Sequence, residues 1–547
     1  MSDSNANARR ANTSAPAEVD VAIVGAGLGG LVAGATLARA GRSVAVFDAH
    51  YVAGGCATHF TRGPRSKRYH FDVGVHYVGD CGAEGQIPRM LRGLDAPVEF
   101  EPLDADGFDT LVFPDLTFRI PADVGLYRER LLGLFPDQRR GIDGYLRVLQ
   151  AVMRAGRTMD ANDGRIDWRA ALSMARDALP LALHAEHTIA QLFDRVGVRD
   201  PRLRAVLLGQ SGDYGLPPSR VSAMLHLGLA GHYFRGAYYP RGGGQRIADA
   251  IADSLERAGG TLHLRRPVAR VRVESGRAVG IELAPRGGDP AETVRAKAVL
   301  SNADLKRTLL DLVGPEHLPT EWVTRTTKLE MAAALSITFL GVKGDLRDRG
   351  MRAANYWQFD GYDVEEFYRR GATGDGAALS PFGCYVTSAS LKDPRHRGFH
   401  APDGVTNVEV MTVVPPSGPA WGVSPDDAVA WRYRDNAAYR AKKQRLEDDM
   451  IARLDRLFPG AAADVVFRET ATPVTHERYT RASDGTGYGL AATPAQFMKR
   501  RPGYAGPLPG LFLCGASTRA GHGIVGSMMG GHRAALRILR AGDTPTV

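Results

Sequence analysis

The stretch VDVAIVGAGLGGLVAGATLARAGRSVAVFDAH, residues 19–50, decides the fold. Its first six residues form a near-continuous β-branched run, interrupted by Asp20, of the kind found in strands buried on both faces. Glycines follow at 25, 27, 29 and 30, and an Ala/Leu-rich segment with helical character continues to Ala40. Residues 43–49, SVAVFDA, read as a second buried strand. Strand, turn, helix and strand within about thirty residues make a βαβ unit with a parallel pair.

Gly25, Gly27 and Gly30 fit GxGxxG, and the context gives the pattern its meaning: it leaves a strand and opens a helix. There the unpaired backbone N–H groups and the helix dipole favour a pyrophosphate. Gly25 allows the tight turn, Gly27 the close approach of phosphate oxygens, and Gly30 close helix–strand contact. Asp48 ends the second strand, where a carboxylate can accept hydrogen bonds from ribose hydroxyls. An acid there disfavours a 2′-phosphate and leaves NAD and FAD both open. The small residues of AGGCAT, 53–58, lean toward FAD, because that chain segment must pass close to the dinucleotide. A second glycine string, GATGDG at 371–376, follows EEFYRR rather than a strand and reads as a loop, so one flavin is the simplest cofactor set.

Working outward, 547 residues allow three or four domain-sized units. With 44% apolar and 24% charged residues, the chain is neither disordered throughout nor a polytopic membrane protein. The net charge of +9 is spread along the chain, and no basic-aromatic module points to nucleic acid. Cys56, Cys81, Cys384 and Cys514 are too few for a disulfide framework, and none sits at CxxC spacing; free thiols are expected. Residues 1–18 read as a disordered polar tail, and no apolar core follows Arg9-Arg10 to make a signal. No apolar run reaches the roughly 18–20 residues that span a bilayer. A cytoplasmic protein is expected, attached at most to a membrane surface.

Residues 126–229 are mostly helical in pattern, with Leu172, Ala175, Leu179 and Leu183 at helix-like spacing and Pro180 expected to kink or break that helix. Short strands are expected at 261–264, 269–274, 279–283 and 298–304. Strands and a helix near 426–457 follow between 331 and 494, and the chain ends in a strand, a glycine turn and a helix. Segments bearing chemistry thus lie at the beginning, middle and end, as in a cofactor domain assembled from discontinuous pieces.

Four segments together resemble the FAD-dependent phytoene desaturase, carotenoid isomerase and retinol saturase superfamily. They are residues 21–50 with GGCATHF at 54–60; FDVGVHYVGD at 71–80; 238–283, from YYPRGGGQ to VGIEL, with LSNAD at 300–304; and FLCGASTRAGHGIVGSMMGGHRAA at 512–535. The resemblance implies an α/β fold: a Rossmann-type FAD-binding domain of the glutathione reductase/amine oxidase kind, built from 19–105, 236–330 and 495–547. An α+β substrate domain would take 106–235 and 331–494. It further implies that Gly25, Gly27, Gly29, Gly30 and Asp48 hold the ADP half of FAD, with Gly54, Gly55 and Thr58 against the pyrophosphate and ribityl. Val268 would meet the adenine through its backbone. Gly515, Gly523, Ile524, Val525 and Met528 would flank the ribityl chain and the pyrimidine edge of the flavin. Ala516 stands where many related flavoproteins carry an acid.

Such a site needs an apolar tunnel, hydride exchange with the flavin and a proton-transfer group. His76 and Tyr77, in the segment expected to face the flavin ring, are the first candidates for that group, and His522 in the C-terminal turn is the third. His59 reads as structural, and Cys56 and Cys514 as small packing residues beside the cofactor. His184 and His187 lack a third ligand, so no metal is expected. The helix-rich segment 168–229 and the aromatic residues Tyr356, Trp357, Phe359, Tyr362, Phe367 and Tyr368 are candidate tunnel walls. The expected activity is desaturation, saturation or isomerisation of C=C bonds in a lipophilic, carotenoid- or retinoid-like polyene. The alternatives are a flavin amine oxidase and a non-catalytic lipid-binding escort with the architecture of Rab GDP-dissociation inhibitors.

Overall fold

The computed structural model describes residues 10, 14–64, 66–161, 177, 179–286, 290–372, 379 and 381–542. In chain order the strands of the two large sheets are β1 (Glu18–Val24), β2 (Val44–Phe47), β3 (Asp109–Phe113), β4 (Leu116–Ile120), β5 (Thr261–His263), β6 (Val268–Glu274) and β7 (Arg277–Leu283). After them come β8 (Thr293–Ser301), β9 (Ala334–Lys343), β10 (Asn355–Phe359), β11 (Gly383–Thr387), β12 (Val405–Val414), β13 (Val465–Ala471) and β14 (Leu511–Leu513). Four helices matter to the site: α1 (Leu28–Arg39), α2 (Ala223–Tyr233), α3 (Gln245–Arg257) and α4 (Gly523–Gly542).

The first sheet runs β5–β2–β1–β8, all parallel, with β14 parallel on the C-terminal half of β8 and the hairpin β6–β7 antiparallel on its other end. Ile23 sits between Val46 and Leu300 in register, so the β-branched run of β1 is buried on both faces. Helix α1 is apolar nearly all round because it is covered all round: α3 and α4 pack on it and the sheet lies beneath. The second sheet runs β13–β9–β12–β11–β10–β3–β4, antiparallel except for β10–β3. Strands β9 and β12 pair along their full ten-residue lengths and form its spine.

Several elements differ from their sequence reading. Arg10, inside the stretch read as a tail, is buried, and its guanidinium lies 2.9 Å from Asp253 and 2.8 Å from Glu256 on α3. The helix expected near 426–457 is two helices, Pro425–Val429 and Ala437–Leu457. They are divided at Trp431, whose φ is +67°, and the Asn436 side chain caps the second helix at the Tyr439 N–H (3.0 Å). Gly371 ends a helix, Val364–Ala372, and the remainder of that glycine string lies outside the described residues. Leu172 and Ala175 also lie outside them, while Leu179 and Leu183 are exposed. Alternation along β10 splits the aromatic group between the two faces of the sheet. Trp357 meets Tyr385 and Phe359 meets Phe113 on one face; Tyr356 meets Phe458 on the other. Among the described residues no helix is long and apolar enough to cross a membrane.

Candidate active site

The chain leaves β1 through Gly25, whose φ of +96° a side chain would strain, and enters α1 at Gly27, which caps the helix with no side-chain partner. The space around this turn is set by one side chain, Asn302, just past the end of β8. A Cβ on Gly27 would lie 2.7 Å from its Nδ2, and on Gly29 or Gly515 it would lie 2.5 or 2.9 Å from its Oδ1. The Cys514 thiol donates to the same oxygen (3.4 Å). A Cβ on Gly30 would run into the Gly25 carbonyl. Gly54 forms a bridge with Gly27 and donates its N–H to the Ala26 carbonyl (2.8 Å), and Gly55 lies against the Gly27 Cα. Thr58, buried, donates to the Gly55 carbonyl at 3.0 Å. Segments from the beginning and end of the chain therefore pack around Asn302. No local pattern in LSNAD marks Asn302, since its importance lies in what surrounds it in space.

Asp48 ends β2 with both carboxylate oxygens turned to backbone: the Ala26 N–H donates to one (2.6 Å) and the His50 N–H to the other (2.7 Å). The Arg266 N–H, donating to the Asp48 carbonyl (2.8 Å), brings the start of β6, and with it Val268, alongside. At the other end of the chain Gly523 opens α4; Ile524 and Val525 are partly buried, and Met528 is buried in the core cluster that also holds α1. The Ala516 carbonyl accepts from Arg501 Nη1 (2.6 Å); the Leu490 and Gln496 carbonyls hold the rest of this buried guanidinium, which burial pushes down to about 10. Backbone brought this close by glycine, uncapped N–H groups at the start of α1 and a carboxylate one strand away fit a dinucleotide.

Between this cradle and the second sheet lies FDVGVHY. His76 turns Nδ1 to Glu409 Oε2 (2.8 Å) on β12, and the Asp72 N–H donates to the other oxygen of Glu409 (2.9 Å). Lys392 donates to the His76 carbonyl and to Thr387 Oγ1, and burial pushes its ammonium down to about 8. Tyr77, stacked on Tyr233 with ring centres 4.3 Å apart, places its hydroxyl 2.6 Å from Asp213 and 3.1 Å from Asp109. His522 packs edge-on against Tyr488 (5.3 Å), and burial lowers its imidazole to about 3, so it is neutral at physiological pH. Cys56 is exposed, and its Sγ lies 3.9 Å from His476 Nε2. Thus His76 is tied to the second sheet, Tyr77 to two carboxylates, and His522 sits across from them beside Asp213.

The family profile of flavin containing amine oxidoreductases matches residues 28–386. The chain belongs to that family. FAD is the cofactor of this flavin oxidoreductase, held on a Rossmann-type sheet. Among its relatives is the all-trans-retinol 13,14-reductase of Danio rerio, 26% identical over 546 residues, covering 92% of this chain and 86% of the relative. Prolycopene isomerase 2 (chloroplastic) of an Oncidium hybrid cultivar is 24% identical, covering 95% of this chain and 84% of that one. Among solved structures, an oxidoreductase from Methanosarcina mazei shares the fold with a TM-score of 0.59 at 16% identity, covering 95% of this chain and 100% of its own.

Proposed function

We propose that this flavin oxidoreductase exchanges hydride with a carbon–carbon double bond of an extended lipophilic polyene. Relatives named for a retinol reductase and a prolycopene isomerase, each aligned over more than nine-tenths of the chain, support that substrate class. One structural observation carries it to this molecule. On β9 the residues facing one way, Leu335 and Ile337, stay partly open, although the strand is paired on both sides. Their neighbours Ala334, Ser336 and Thr338 are sealed. Ala333, Leu225, Leu229 and Phe497 are likewise partly open against the same aromatic core. This apolar face suits a hydrocarbon chain.

FAD, when bound, supplies hydride exchange at N5. In this proposal the chain supplies the rest. Gly25, Gly27, Gly29, Gly30, Gly54, Gly55 and Thr58 hold the pyrophosphate region, Asp48 the ribose and the Val268 backbone the adenine. Gly515, Ala516, Gly523, Ile524, Val525 and Met528 flank the flavin end. His76 and Tyr77 border the substrate face; His522, neutral, packs there. The division into an FAD-binding unit (19–105, 236–330, 495–547) and a substrate unit (106–235, 331–494) belongs to the same proposal. So does contact with a membrane surface through the exposed Leu179 and Leu183.

Anaerobic mixing of the purified yellow protein with a panel of polyenes tests this reading. Bleaching of the flavin identifies a desaturase. Reoxidation of chemically reduced flavin, with loss of substrate conjugation, identifies a saturase. Peroxide release with amines, and no response to polyenes, would replace the proposal with an amine oxidase.

A further inference from the structure

The turn Ser211–Asp213 stands where three parts of the site meet. Tyr488 donates its hydroxyl to the Gly212 carbonyl (2.7 Å), the Ala333 N–H at the head of β9 donates to the Gly215 carbonyl (3.0 Å), and the His522 ring faces the Asp213 backbone. Asp213 thus lies between the C-terminal glycine turn and the apolar face of β9. Asp213 is a partly exposed residue, whereas Asp109, on β3, is fully buried.

The Tyr77 hydroxyl has one proton and two carboxylate neighbours, Asp213 Oδ2 at 2.6 Å and Asp109 Oδ2 at 3.1 Å. One phenol proton can satisfy only one of these contacts. The other needs a proton on a carboxyl group, because, of two like charges this close, the second ionises only at raised pH. Asp109 is the better anion: Gln210 Nε2 (2.7 Å) and Asn355 Nδ2 (2.9 Å) also donate to it, against one further phenol, Tyr233, on Asp213. The extra proton therefore belongs to Asp213, which donates to the Tyr77 oxygen while Tyr77 donates to Asp109. Lys392 is the cation of this neighbourhood; it reaches Asn355 Oδ1 (3.3 Å), and Glu409, Asp72 and Asp109 share its charge. The other titratable groups facing the pair are the phenols of Tyr233, Tyr368, Tyr385 and Tyr488 and the neutral imidazole of His522. Burial and the Asp109 charge hold the Asp213 carboxyl up at about 8, with Asp109 at about 6, in the same order as the hydrogen bonds.

We propose that Asp213, kept neutral by the Tyr77–Asp109 pair, is the group that gives a proton to the substrate carbon and takes it back in reverse. The inference rests on the polyene reading above. In the saturating direction one alkene carbon receives a hydride from the reduced cofactor, and its neighbour receives the Asp213 proton. The π bond is replaced by two C–H bonds, the substrate is reduced, the flavin is oxidised, and Asp213 remains ionised until a solvent proton restores it. Desaturation runs the same steps backward, with Asp213 entering as the carboxylate. Tyr77 and Asp109 act through Asp213 as positioning residues, setting its charge.

The test uses the FAD-loaded protein in two measurements. Infrared difference spectra across a pH titration should show the carbonyl stretch of a neutral carboxylic acid that disappears near pH 8. That band should be absent in Asp213→Asn with flavin content unchanged, and in Asp109→Asn it should titrate at lower pH because the neighbouring negative charge is gone. Anaerobic half-reaction rates with a reactive polyene should fall by about 10²–10⁴-fold in Asp213→Asn and recover in part in Asp213→Glu. A band that survives in Asp213→Asn, or a wild-type rate in that variant, overturns the assignment. If the wild type reacts with no polyene, the substrate reading fails and the proton-donor role falls with it. A missing band alongside intact polyene turnover overturns Asp213 alone.

Discussion

Asp213 and Asp48 show how the same side chain takes opposite characters from its surroundings. Asp213, held up at about 8 by burial first and the Asp109 charge second, keeps its proton in the folded protein over a range where the unfolded chain has lost it. The folded state then binds more protons, so this residue's contribution falls as pH rises from about 4 to about 8. Asp213→Asn should flatten the dependence of the unfolding midpoint on pH over that window by about one proton's worth of slope; an unchanged slope would contradict the neutral carboxyl. Asp48, by contrast, accepts two backbone N–H groups, and the proposal gives it the ribose. Asp48→Ala should lower the flavin retained on purification, read as the ratio of flavin to protein absorbance, while leaving the secondary structure intact. The place of Asp48 just after the second parallel strand was legible in the sequence, because the turn and strands around it are close to it in the chain. Asp213 was not: its meaning comes from Tyr77, 136 residues away, and from Asp109, which no local pattern joins to it. His76, legible as a residue near the site, gains its Glu409 partner only through the pairing of distant strands.

Among the elements, the contact between α1 and α4 is made by backbone. A Cβ on Gly531 would strike the Gly29 carbonyl, and the Ser527 carbonyl lies 3.0 Å from where a Gly29 Cβ would be. Gly531→Ala should therefore lower stability by about 1–3 kcal/mol through overpacking and loosen the flavin, both visible in thermal melts with and without added FAD. Gly133, exposed near the end of the helix Val124–Leu134 with open space about it, is the control; Ala there should be neutral or stabilise by up to about 1 kcal/mol. The βαβ opening was readable because glycine spacing and strand composition act locally. The break at Trp431 was missed because helical spacing continues through it; the positive φ at that residue and the Asn436 cap interrupt the helix. The aromatic group at 356–368 was legible as a cluster but not as two, since the split follows from which face of β10 each ring takes.

At the scale of the whole molecule, strands from residues 18–47, 261–301 and 511–513 share one sheet, and Asn302 meets glycines from both its first and last segments. Truncation after Ser517, which removes α4 and the turn before it, should yield a colourless protein even with excess FAD; a yellow truncation product would show that the amino-terminal half of the cradle suffices. This arrangement also has a temporal side. Synthesis at about 5–20 residues per second puts roughly 25–100 s between the emergence of β1 and that of α4. The nascent polypeptide must carry an open-sided nucleotide fold through that interval, so loading with cofactor waits for α4 and competes with early encounters with chaperones and proteases.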